Sequence, residues 1–158
     1  MDRPVSLEVK SVLAFGIGGS PDASLEGFVP DDAEHFGFHA QVFIGEVESE
    51  LVDSFDLTVC SPSWLAASVE SGEWERFRSG GLRVLPESIA VGTGIWFMRR
   101  WDLQDFEAAL RATCQGFSPG PDWGTVAARI GRLIPWEFDY RYDAHLNDHF
   151  GSPFPPDR

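Results

Sequence analysis

Ser54-Phe-Asp-Leu-Thr-Val-Cys-Ser-Pro-Ser-Trp-Leu65 holds a complete strand-to-helix junction. Phe55, Leu57 and Val59 alternate with Asp56 and Thr58, the period-two pattern of a strand with one buried face. Ser61 then stands where an N-cap belongs, with Pro62 at the first helical position. Trp64, Leu65, Ser68 and Val69 form the inner stripe of the helix, and Gly72 stops it. Just upstream, Phe38, Ala40, Val42 and Ile44 alternate with His39, Gln41 and Phe43, giving a partner strand. Beyond Gly45 the even positions become Glu46, Glu48 and Glu50, which would turn the buried face into a row of carboxylates. A bulge or turn at Gly45 is therefore expected.

Working outward, Val5, Leu7 and Val9 mark a first strand, which Gly16-Ile-Gly-Gly breaks. Residues 21–34 are polar and acidic, with Pro21 and Pro30, and read as a long surface loop. On the other side, residues 82–86 form a short strand. Ile89, Val91, Thr93, Ile95 and Phe97 alternate in the next, with Gly92 and Gly94 marking a bend or a close approach to its backbone. Asp102 caps a helix with Leu103, Phe106, Leu110 and Cys114 on its inner face, ending at Gly116. Asp122 caps another through Trp123, Val126, Ile130 and Leu133. Trp136, Phe138, Tyr140 and Tyr142 alternate as a last strand. The pattern predicts a single α+β domain over residues 1–144, a mainly antiparallel β-sheet with helices packed on one face, and a loose tail at 145–158.

Charge is distributed unevenly. Residues 11–75 contain thirteen Asp or Glu and neither Lys nor Arg; the other 93 residues carry twelve acids and twelve bases. The whole formal charge of −13 thus lies in one stretch of 65 residues. Such a field attracts basic partners and opposes nucleic-acid binding, which needs cations on the phosphates. Thirteen Phe and six Trp set the chain apart from disordered acidic tails. No signal peptide or membrane span is read, and Cys60 and Cys114 fall in apolar patterns as reduced, buried thiols, so a cytoplasmic protein is expected.

Enzyme motifs are scarce. GxSxG, HExxH, CxxC and a Walker loop are all absent, and the only lysine is Lys10. His145 and His149, with Asp143 and Asp148, could be drawn as a metal site, but the neighbouring prolines favour a solvated tail, so neither metal nor cofactor is expected. Cys60 lies at a strand-to-helix junction, where a thiol could be activated; a small buried residue is the simpler account. The tryptophans fall mostly on the apolar sides of their elements and read as core.

Three stretches, Phe38-His-Ala-Gln-Val-Phe-Ile-Gly45, the junction at 54–65, and Trp123 leading into Trp136-Glu-Phe-Asp-Tyr140, together resemble the bacterial immunity protein 8 family. Its members are similar in a Phe-Asp-x-x-Val-Cys-x-Pro-x-Trp-Leu core. The resemblance implies an α+β protein encoded beside a secreted polymorphic toxin, neutralising it in the producing cell. Phe55, Ser61 or Ser63, Trp64 and Trp136 are the most recognisable positions, and by placement they are structural. The acidic loop at 21–34, the tail after Asp143 and the scarcity of lysine have no counterpart in the resemblance.

The expected function is therefore a non-enzymatic inhibitor of a cognate protein toxin with a basic surface. Its partner-binding residues would be Asp22, Glu26, Asp31, Asp32 and Glu34 in the loop, with Glu46, Glu48, Glu50 and Asp53 around the turn. Neither nucleic acid nor membrane is an expected partner. The alternatives are a small α+β enzyme or ligand-binding domain, and an acidic adaptor.

Overall fold

The computed structural model describes residues 4–16, 23–72, 83–85, 89–91 and 94–138. The alternating segments at 38–44 and 55–59 pair as β3 (Gly37–Glu46) and β4 (Val52–Cys60), antiparallel, with Phe38 opposite Val59, Ala40 opposite Leu57 and Val42 opposite Phe55. All six side chains are buried. β1 (Leu7–Phe15) flanks β3 on its other side. A bulge between Val9 and Ser11 changes the phase of β1, so that Val9 faces Ile44 but Val12 faces Val42. That one extra residue moves the core positions of β1 from odd numbers to even ones. β2 (Ala23–Ser24) and β7 (Ile95–Phe97) complete a sheet of order β2-β1-β3-β4-β7.

Helix α2 (Leu103–Phe117) is capped by Asp102, whose side chain accepts from the Asp105 N–H, and it buries Phe106, Leu110 and Cys114. Helix α3 (Trp123–Ile130) is capped in the same way by Asp122 and buries Val126, Ala127 and Ile130. Both pack on the apolar sheet face, forming one core with the residues of β1, β3 and β4. Each fully buried Phe or Leu there contributes roughly 1.5–3 kcal/mol. Helix α1 (Pro62–Ser71) follows the expected plan, with Ser61 accepting from Trp64 N–H and Gly72 as a left-handed C-cap. The described residues thus have the α+β architecture that the patterning predicts, with one five-stranded main sheet and helices packed on it.

Several local expectations are corrected. β3 runs straight through Gly45, which pairs with Glu8 on one side and Val52 on the other; the turn comes after Glu46, because two neighbouring strands carry the ladder that far. Over its described part, residues 23–34, the expected loop is not structureless. Beyond β2 a 3-10 turn (Leu25–Gly27) buries Leu25, and Phe28 and Phe36 pack against Trp101 with ring centroids 5.4 and 5.6 Å away. Trp101 also donates its indole N–H to Phe28 O and its backbone N–H to Ala33 O.

The strand read over 89–97 is two elements. β6 (Ile89–Val91) pairs with β5 (Arg83–Leu85) in a separate hairpin, whereas β7 joins β4 in parallel. Gly94 has φ +65°, and a side chain there would overlap Pro135, so glycine is required where β7 begins. Helix α2 passes Gly116 and ends at Phe117. Helix α3 stops at Ile130, so that Ile134 is buried and Leu133 is not. The terminal strand is a single bridge between Trp136 and Phe55 among the described residues; Tyr140, Tyr142 and the tail lie outside them.

Candidate partner-binding surface

The acidic residues are distributed by the register of β3. Glu46 lies at the end of β3, half-buried, on the same face as Ile44, and Glu48 and Glu50 follow in the exposed β3–β4 turn. Asp31, Asp32 and Glu34 lie before the other end of the same strand, all exposed. A strand of this length spans about 30 Å. The two groups are therefore separate poles rather than one face, and at physiological salt, with a screening length of about 8 Å, each acts electrostatically alone.

Glu26 belongs to neither pole: it sits exposed on the 3-10 turn beside the middle of β1. Asp22 lies outside the described residues. Asp53 is turned toward the core side of the sheet, opposite Ile44. Its Oδ2 accepts from the indole N–H of both Trp123, at 2.7 Å, and Trp136, at 2.9 Å. Its carboxylate ties the ends of two late segments to β4, a task inside the fold.

At the loop pole Asp32 Oδ1 accepts from the Glu34 N–H at 2.8 Å, and Asp32 O from the His35 N–H, which fixes the turn. The hairpin pole has a different character. Val47 is 49% exposed and Leu51 82%, standing between the carboxylates, with Val52 beside them. These apolar side chains are what the sequence reading misses. The available signal was the alternation Glu46-Val-Glu-Ser-Glu-Leu-Val52, which continues past the last residue that the sheet can bury.

The described residues contain no group of three His, Cys, Asp or Glu arranged to hold a metal ion; His145 and His149 lie outside them. Cys60 is fully buried, and burial pushes its thiol up to about 12, away from a reactive thiolate. Burial likewise raises Cys114, to about 11. Trp101 and Trp136 are buried, and Trp64, Trp96 and Trp123 half-buried, so these five are packing residues; Trp74 lies outside the described residues. No described helix is long and apolar enough to cross a membrane.

The strand-to-helix junction around Ser61 is a built unit. Its hydroxyl accepts from the N–H groups of Phe36 and Trp64 and lies 3.4 Å from Phe36 O, joining β3, β4 and α1 at one point. Phe55 stacks on Trp136 at a centroid distance of 6.4 Å and an interplanar angle of 15°. The residues that carry the resemblance to a known family are thus the ones that hold the sheet to its helices. No curated protein and no solved structure matches the chain. The model of one protein family, Immunity protein 8, matches residues 16–140, from the end of β1 to just beyond the Trp136 bridge, and the chain belongs to that family.

Proposed function

We propose that this immunity protein neutralises its toxin by binding, without turnover, through the acidic β3–β4 hairpin. Family membership implies a toxin as the partner. The observation that carries the finer reading is the mixture at the hairpin tip, where Glu46, Glu48 and Glu50 surround the exposed Val47 and Leu51. Carboxylates at a protruding turn steer a basic surface into encounter, and they act mainly on the association rate. Apolar side chains that lose their water on contact supply the hold that steering cannot. The loop acids Asp31, Asp32 and Glu34, a strand's length away, add to the hairpin's field only at low salt, and on the immunity reading the encounter takes place in the cytoplasm of the producing cell.

The test is co-expression with the protein encoded immediately upstream, followed by binding kinetics on the purified pair. Changing Glu46, Glu48 and Glu50 together to Gln is expected to slow association about tenfold or more at low salt and to flatten its salt dependence. Leu51→Ser is expected to speed dissociation instead, with little change in association. Asp31→Asn with Asp32→Asn serves as the matched control at the other pole. Full rescue and unchanged kinetics with both hairpin variants would remove the hairpin from the interface while leaving the immunity role intact.

A further inference from the structure

Lys10 is the chain's one lysine, and it stands at the bulge of β1 between Val9 and Ser11. A bulged residue leaves the ladder, and its side chain is re-aimed. Here the half-buried side chain carries its ammonium to 3.3 Å from Val47 O and 3.5 Å from Glu8 Oε2. Val47 opens the β3–β4 turn, and its N–H is given to Ser6 O at 2.9 Å. The arm from Ser6 to Lys10 therefore holds both backbone groups of one turn residue, the N–H through a carbonyl and the carbonyl through an ammonium. Within the turn, Ser49 N–H bonds Glu46 O at 3.0 Å and Leu51 N–H bonds Ser49 Oγ at 3.1 Å. The exposed Val47 and Leu51 thus hang on a frame that Lys10 fastens from outside.

On electrostatic grounds the placement works against the hairpin. Carboxylates steer a basic surface most strongly when no cation stands beside them. Residues 11–75 contain neither Lys nor Arg, yet Lys10, just outside that stretch, reaches to the backbone between Glu46 and Glu48. Its charge therefore subtracts from the field of the very turn that it touches. The contact gains order instead. A turn that is loose in the free protein must be fixed when a partner covers it, and fixing it beforehand spares binding that loss.

We infer that Lys10 is a positioning residue for toxin binding: through Val47 O it holds the apolar tip of the hairpin in its binding shape while weakening the steering field. The inference rests on the hairpin reading of the interface. The two effects of Lys10 have opposite signs, which makes them separable. Its charge opposes encounter with a basic surface, and its hydrogen bond opposes escape.

The experiment uses Lys10→Met, which keeps the apolar body of the side chain and removes both charge and donor. In the free protein, amide exchange at Val47 and Leu51 should quicken about tenfold, the effect of losing one charged hydrogen bond. Exchange at Val42 and Leu57, in the middle of the sheet, should stay as in the parent and show that the fold is intact. With the toxin encoded upstream, association at low salt should speed about twofold and depend more steeply on salt. Dissociation should speed about tenfold. Lys10→Arg, which restores a charged donor, should recover most of the slow dissociation. Unchanged exchange at Val47 overturns the inference whatever the toxin does. So does faster association with unchanged dissociation, which would leave Lys10 a mere charge and the hairpin reading intact. Kinetics indifferent both to Lys10→Met and to the change of Glu46, Glu48 and Glu50 to Gln would remove the hairpin from the interface, and this inference would fall with it.

Discussion

Replacing Asp53 by Ala removes the acceptor shared by the indoles of Trp123 and Trp136. Trp136 is buried and stacked on Phe55, so its N–H cannot turn to solvent without moving the ring. Each stranded donor costs about 1–3 kcal/mol. Asp53 and Trp123 are themselves half-buried, which lets water recover part of the loss, and the sum settles near about 2–3 kcal/mol. For a domain of this size that lowers the melting temperature by roughly 4–12 °C. Asp53→Asn retains a carbonyl acceptor and should lose less, about 1 kcal/mol. The assay is thermal unfolding of both variants, with tryptophan fluorescence reporting on the indoles. A midpoint for Asp53→Ala within about 1 °C of the parent would refute the clamp. In the folded state, toxin binding by Asp53→Asn should match the parent, in contrast to the hairpin variants.

Gly37→Ala places a methyl group inside the Trp64 ring, so α1 must shift; calorimetry should show a loss on the order of 1–3 kcal/mol. Both cysteines should resist a thiol reagent at pH 8 in the native state and react together on unfolding, because burial holds their thiols at about 12 and about 11; prompt labelling of either native thiol contradicts this. Asp122 accepts from Thr125, first through the backbone and then the hydroxyl, which lowers its carboxyl below the usual range. Its stabilising effect is then present above the unfolded-state value and is lost as pH falls through the folded one. Circular dichroism between pH 2 and 5 should show Asp122→Ser losing less helix on acidification than the parent.

Local signals were legible in the sequence wherever one element carries its own evidence. The spacing of Phe106, Leu110 and Cys114 and the capping aspartates specify α2 and α3 without reference to anything distant. Ser61, Pro62 and Gly72 likewise define α1. What alternation cannot say is which strand lies beside which. Residues 89–97 alternate without interruption, yet they serve two sheets; the glycines hint at a bend, but Pro135, the neighbour that excludes a side chain at Gly94, is some forty residues away in sequence. Leu25 looked like a residue of an acidic loop because its burying neighbours are far away in sequence. The acidic residues were visible as a set, but their division into two poles depends on the uninterrupted course of β3, which Gly45 and Glu46 disguised. Asp53 read as one more surface charge because its tryptophan partners are 70 and 83 residues away.

Those separations also bear on how the protein is made. Asp53 leaves the ribosome long before Trp136, and Val5 and Leu7 wait still longer for Ser118 and Gly120. At about 5–20 residues per second, the 83 residues between Asp53 and Trp136 take roughly 4–17 seconds to translate. Throughout that interval the two strands of the hairpin have been made but the Trp136 half of the Asp53 clamp has not. The sheet's last internal tie is thus also a late product of translation, and a nascent chain that has not reached Trp136 lacks the contact that fixes Phe55 and Asp53 together.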